Sequence, residues 1–421
     1  MLATRASTAK RLARSFATVV DAKVSGVKVA AVDHGQPTTA LTFLVKAGSR
    51  YEPSPGVAHA LKNFAFKSTA ERSTLGTIRE SELYGGVLSA GLSREYLTLT
   101  TEFLRGDEAF FSSLLTSVLT TTKFLPYEYS EYVLPVVRDE STHASQVPST
   151  VAIEAAHALA FRTGLGAPLF AGPHTPVSLE SVKAFASSAF ASGNVAVIGT
   201  GIDSARLAEL VDKALAETPL PSSSSSSSTS SKYFGGATRI DSHNGPQTVF
   251  IGFGSTTPST ALAVLANHLA PPPALKWSSV PPSSTTLTPV YLPYSDAVLT
   301  GVLVQGPDTN SVKDAAKTLV DRLKKPLTAE ELKSAVARTK FDAAASVENR
   351  ESLILAIGKK VFSGAESSVE STLAELDKVD AATFSKLWFG YQTVSDLTKA
   401  TPTYVAVGDV NALPYVDEIG L

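Results

Sequence analysis

A serine run, Ser222 to Ser228, continued by Thr229-Ser230-Ser231 and preceded by Pro221, divides this 421-residue chain close to its middle. A stretch with no side chain to bury behaves as a flexible linker. The chain therefore has to fold as two comparable parts, 17–218 and 234–421, joined by 219–233. The two parts repeat one pattern. Arg94 to Leu104 alternates as a half-buried strand, then Gly106-Asp107 leads into a helix to about Thr121. In the second part Asp296 to Gln305 is followed by Gly306-Pro307-Asp308 and a helix to about Lys324. Pro126 opens a helix toward Arg138, and Leu327-Thr328-Ala329-Glu330-Glu331 opens one toward Ala345. Thr328 and Glu331 have the spacing of a capping box. Finally, Asn194 to Gly199 matches Tyr404 to Asp409. Three pairs in the same order, offset by roughly 200 to 210 residues, indicate an internal duplication.

Within each part strands alternate with helices, while Val87–Leu92 and Glu95–Leu104 have the spacing of a hairpin. The fold class predicted is α+β: tandem duplicated domains, each a mostly antiparallel sheet with helices packed on one face.

The first 20 residues carry Arg5, Lys10, Arg11 and Arg14, several Ser and Thr, and no acid before Asp21. That is the composition of a mitochondrial presequence. It predicts a presequence over 1–16 and a mature fold starting close to Ala17. The chain has no cysteine, which excludes disulfides, thiol catalysis, cysteine-ligated zinc and covalent haem. A net charge of -2 gives no support for nucleic-acid binding. No cofactor is expected. The stretch Ser242 to Ser295 has Lys276 as its one charge before Ser295 and is broken by glycines and prolines. It reads as a strand, a turn and a buried helix, followed by a Pro/Ser loop. Two readings stay open for it. Either it is ordinary core, or it contains a subunit contact in which Trp277, Tyr291 and Tyr294 take part.

The residues that bear on chemistry are His59-Ala60-Leu61-Lys62-Asn63, preceded by Gly48-Ser49-Arg50-Tyr51-Glu52 and Gly56-Val57-Ala58. This run resembles the zinc-site segment of the pitrilysin-type metallopeptidases, which include the mitochondrial processing peptidases. Their inverted motif is H-x-x-E-H: two histidines one helical turn apart bind zinc and the glutamate activates water. Against that motif His59 matches the first ligand, Lys62 stands at the base position and Asn63 at the second ligand. The resemblance also implies a third ligand on a later helix, and Glu140, 77 residues past Asn63, falls there. These four are vestigial peptidase-site positions, with no catalytic, cofactor or metal role expected. An amide oxygen is a poor substitute for imidazole, and an ammonium beside a dication is repelled by on the order of 6 kcal/mol at about 5 Å. His143 and His157, in the same half, are alternative ligands or structural histidines.

Other runs resemble non-catalytic members of the same family, the core proteins of the mitochondrial ubiquinol–cytochrome c reductase. They are Arg79 to Gly86, Ser93 to Leu99, Tyr132 to Pro135, Phe161 to Gly166 and Tyr404 to Tyr415. That resemblance implies a structural subunit on the matrix side of the inner membrane. Its partners would be core protein 1, the cytochrome b and cytochrome c1 subunits, and a second copy in a dimeric complex. An alternative within the family is the non-catalytic, substrate-binding subunit of the processing peptidase. That subunit uses a glycine-rich loop, and Pro271 to Ser295 contains no glycine.

Overall fold

Strands Val195–Thr200 and Thr403–Gly408 are apolar at almost every position, and both are buried along their whole length. A strand of that kind must be covered on both faces, and the computed structural model shows how each face is covered. It describes residues 26–33, 35–173, 175–221, 230–256, 259–270, 285–325, 327–363, 369–379 and 401–421. The expected presequence over 1–16, Ser222 to Thr229, Pro271 to Pro273, Trp277, His34 and His174 lie outside them.

The first sheet consists of β1 (Lys28–Val32), β2 (Thr38–Val45), β3 (Val87–Leu92), β4 (Leu97–Leu104) and β5 (Val195–Thr200), in the order β1-β5-β2-β4-β3. The second consists of β6 (Gly236–Asp241), β7 (Gln247–Ser255), β8 (Thr286–Pro293), β9 (Val298–Gly306) and β10 (Thr403–Gly408). Its order, β6-β10-β7-β9-β8, is the same topology strand for strand. In each sheet one edge pairing is parallel (β1 with β5, β6 with β10) and the others are antiparallel. The duplication read from the sequence is thus a duplication of sheet topology.

Helices α1 (Val57–Asn63), α2 (Thr74–Leu83), α3 (Glu108–Thr120), α4 (Pro126–Glu128), α5 (Leu134–Gln146), α6 (Pro148–Phe161), α7 (Leu179–Ala189) and α8 (Ser204–Glu217) belong to the first half. Between α4 and α5 the chain keeps turning as one widened π turn, Tyr129–Val133. Pro135 lacks an N–H and crowds the carbonyl four residues back, which accounts for the widening. The helix opened by Pro126 therefore extends to Gln146, past Arg138. The second half has α9 (Thr260–Leu269), α10 (Thr309–Lys324), α11 (Ala329–Ser346), α12 (Arg350–Ser363) and α13 (Val369–Asp377). The capping box of α11 is present: the Thr328 hydroxyl accepts from Glu331 N–H and the Glu331 carboxylate accepts from Thr328 N–H.

One expectation is corrected. Each sheet carries helices on both faces, and the second face is covered from the other half. Ala30, Val32, Leu44, Ala196 and Ile198 of the first sheet pack against Ile354, Ile357 and Val361 of α12. Reciprocally, Phe250, Leu299, Leu303, Val405 and Val407 of the second sheet pack against Ala152, Ala156, Ala160 and Phe161 of α6. Burying the three α12 side chains contributes on the order of 5 kcal/mol. Gly358 makes the contact possible, because a Cβ there would sit 2.0 Å from Leu44 Cδ2.

Polar contacts close the same seam. Arg50, buried, donates to Glu95 Oε1 (2.9 Å) and to both oxygens of Asp296 (2.7 and 2.6 Å). Ser295 N–H and Oγ donate to Glu95 (3.1 and 2.5 Å), and Ser231 N–H donates to Asp296 (2.8 Å). Next to Glu95, Arg94 donates to Glu154 of α6 (2.6 Å) and Tyr96 stacks on Phe362 of α12 (5.5 Å, 9°). The hairpin turn Arg94-Glu95-Tyr96 therefore touches α6, the β8–β9 turn and α12 at once.

Tyr294 belongs to this seam, and Tyr291, on the other face of β8, meets the start of α9. The Tyr294 hydroxyl meets His157 Nε2 (2.7 Å), and Tyr291 donates to Ser259 O (3.2 Å). For these two rings the core reading holds. His157 is buried, with Nδ1 2.7 Å from Ile153 O, and burial pushes its pKa down to about 3. It is a structural histidine of the seam, and His143 is exposed on α5.

Candidate functional site

Helix α1 is short, and its start depends on two residues outside it. Gly56, at φ 89°, turns the chain into the helix, and a Cβ there would lie 2.6 Å from Ala171 Cβ. That conformation and that approach suit glycine alone. Because Gly56 has no side chain to cap with, Glu52 supplies the acceptor, and its Oε2 takes the Ala58 N–H at 2.9 Å. Burial outweighs the backbone N–H groups around this carboxyl and pushes its pKa up to about 7.

One turn on, α1 places His59, Lys62 and Asn63 toward Glu140 of α5, so the structure brings together all four positions singled out in the sequence. His59 is 2% exposed, with Phe170 edge-on at 5.4 Å. Its Nδ1 accepts the Ala171 N–H at 3.2 Å, so in the neutral ring Nε2 carries the proton and donates to Glu140 Oε2 at 2.6 Å. Lys62 Nζ donates to Glu140 Oε1 at 2.5 Å and Asn63 Nδ2 to Oε2 at 2.9 Å. Burial opposes the charge on Glu140, but the bonds from Lys62, Asn63 and His59 outweigh it and hold the pKa at about 2. Burial, working against the pull of Glu140, lowers the pKa of His59.

These residues do not fit the zinc of the peptidase motif. Three donors converge on one carboxylate, and the ammonium of Lys62 stands where a base would be. Among the described residues no group of three His, Asp or Glu is placed to hold a metal ion. What the arrangement does chemically is tie α1 to α5. A pKa of about 2 against 4.5 corresponds to about 3 kcal/mol. With 32% of the Glu140 side chain exposed, screening reduces the expected contribution to about 1–2 kcal/mol. The folded pKa is depressed, so the contribution is present above pH 4.5 and lost as pH falls toward about 2. Glu140→Gln should therefore melt below the parent protein at pH 7, and the gap should narrow below pH 4.5 and close only near pH 2. A gap independent of pH would show that charge on Glu140 is not the cause.

Sequence reasoning did not find Ala171 or Phe170, which orient His59, nor the role of Arg94-Glu95-Tyr96. The last three were read as the start of a strand, whereas the strand begins at Leu97 and they form the turn before it; their consecutive polar and aromatic character was the available signal.

Residues 28–172 match the Insulinase (Peptidase family M16) family. Over nearly its whole length the chain is similar to proteins described as cytochrome b-c1 complex subunit 2, mitochondrial. The one from Cryptococcus neoformans var. grubii is 40% identical, over 99% of this chain and 97% of the relative. The Yarrowia lipolytica protein is 35% identical over 97% of each, and the Saccharomyces cerevisiae protein 33% identical over 94% and 96%. A peptidase-like first half, a topologically duplicated second half and end-to-end likeness to these proteins lead to one assignment: the chain belongs to the cytochrome b-c1 complex subunit 2 family.

Proposed function

We propose that this mitochondrial chain is a non-catalytic, structural subunit of the cytochrome b-c1 complex. In that role it supports electron transfer from ubiquinol to cytochrome c by holding the assembly together. The observation that carries the non-catalytic reading is the Lys62–Glu140 ion pair, with Asn63 on the same carboxylate. A peptidase of this type needs a carboxylate to activate water and a metal to polarise the carbonyl. Here the carboxylate that remains is bound by an ammonium. On this reading the four positions His59, Lys62, Asn63 and Glu140 are the remnant of a peptidase site.

The layout proposed with it is a presequence over 1–16, peptidase-like domains over 17–218 and 234–421, and a linker over 219–233. The subunit would sit on the matrix side of the inner membrane, paired with core protein 1. It would also contact the cytochrome b and cytochrome c1 subunits and a second copy in the dimeric complex. Among the described residues no helix is long and apolar enough to cross a membrane.

Co-migration of the tagged chain with cytochrome b on a native gel after mild detergent extraction tests the assignment. Migration apart from cytochrome b would overturn it. The lost chemistry has its own test. The purified protein should contain well under one zinc per chain and leave a presequence peptide intact. Lys62→Glu with Asn63→His should gain zinc affinity, since His59 and Glu140 already stand in place. One zinc per chain in the unmodified protein, with proteolysis that a chelator stops, would refute the non-catalytic reading.

A further inference from the structure

Helices α9, α10 and α11 leave between them a cleft of about 250 Å³, in the half of the molecule that lacks the His59–Glu140 cluster. Asn267 and His268 line it from α9, Arg322 from α10, and Glu331, Ser334 and Arg338 from α11. Asn267 is 8% exposed. Its Nδ2 donates to Thr339 Oγ1 (3.1 Å), and that hydroxyl donates to Ala335 O (2.8 Å), so Thr339 cannot return the bond. Asn267 Oδ1 is buried with no hydrogen-bond partner among the described residues. An acceptor left this way costs about 1–3 kcal/mol unless something donates to it.

The charges around it favour an anion. Two guanidinium groups face one carboxylate, and that carboxylate already caps α11 through Thr328. Arg338 uses one bond on Ala270 O (2.6 Å), and a guanidinium has five N–H donors. Burial and Arg322 together outweigh the pull of Glu331 on His268 and lower its pKa, so at pH 7 its ring is neutral. The lining thus combines forked cationic donors, which match carboxylate and phosphate oxygens, with one buried acceptor that needs a donor.

We propose that this cleft binds a small phosphate ester carrying a free hydroxyl: Arg322 and Arg338 hold the phosphate and the hydroxyl donates to Asn267 Oδ1. A glycerol phosphate has both groups, whether as the free ester or as the headgroup of phosphatidylglycerol.

Calorimetric titration of the full-length protein with sn-glycerol 3-phosphate and with inorganic phosphate tests this. The ester should bind saturably and more tightly than inorganic phosphate, which lacks the alcohol that would donate to Asn267 Oδ1. Arg322→Gln should weaken both by about tenfold, the factor expected from one charge-assisted contact. Asn267→Leu, similar in size, should abolish the preference for the ester. Should that variant fail to fold, Arg322→Gln, at a half-exposed position, decides the matter alone. Sedimentation with phosphatidylglycerol vesicles but not phosphatidylcholine vesicles, competed by the ester, would identify the lipid headgroup as the source. Ester binding without sedimentation would identify the soluble compound. No saturable binding at millimolar ester, or equal binding by Arg322→Gln, would overturn the proposal.

Discussion

Replacing Arg50 with alanine is expected to lower the unfolding free energy by about 3–5 kcal/mol, the loss that follows when one partner of a buried ion pair is removed. Its guanidinium side chain is 1% exposed and meets Glu95, whose side chain is 3% exposed. Without Arg50 the Glu95 carboxylate keeps the Ser295 contacts but loses the cation bonded to it. Asp296 is different. Its side chain is 30% exposed, so water can take over part of the role of Arg50. Asp296→Asn should accordingly cost less, about 1 kcal/mol. Urea denaturation of the three proteins measures this. A double-mutant cycle with Glu95→Gln should be clearly non-additive, because removing both charges leaves none stranded. A loss below about 1 kcal/mol for Arg50→Ala would mean that the seam is held by its apolar contacts alone.

The second large effect is expected at Gly358. Valine there should destabilise the protein by about 3 kcal/mol, since overpacking a filled core costs this much. The new Cβ would meet Leu44 Cδ2 at 2.0 Å with Ile198 Cδ1 at 3.2 Å, and Leu44 is fully buried. Alanine should be milder, because about 1 kcal/mol of gained helix propensity offsets part of the crowding. Combining Gly358→Val with Leu44→Ala should restore part of the loss, as the added methyls enter the space the leucine leaves. Thermal melting of the four proteins checks this. If Gly358→Val melts with the parent, α12 does not press on the first sheet.

Local signals carried much of the fold. Alternation in Arg94 to Leu104 marked a strand with one face buried, three residues longer at its start than the strand that forms, and Thr328 with Glu331 marked a helix start to the residue. The meeting of His59, Lys62, Asn63 and Glu140 followed from the resemblance, since nothing local links residues 77 positions apart. What stayed hidden was the identity of distant partners. The run Val195-Ala196-Val197-Ile198 says that both faces of its strand are covered. It cannot say that one cover is α12, because apolar periodicity is a property of a window of neighbours. Helices were placed on one face for the same reason. Tyr294 was ambiguous because an aromatic ring between uncharged neighbours looks alike whether it faces a partner protein or His157 of its own chain.

The exchange of α6 and α12 also bears on how the chain acquires its shape. Lys28 bonds Val361 O across 333 residues, and Arg350 bonds Thr38 across 312. The outer face of the first sheet has no cover until α12 has been made or has emerged from a translocation channel. Closing so long a loop is slow, and an apolar sheet face left open meanwhile is a site for aggregation. The first half is therefore expected to be a client of chaperones for most of the chain's passage, released only when its far end arrives.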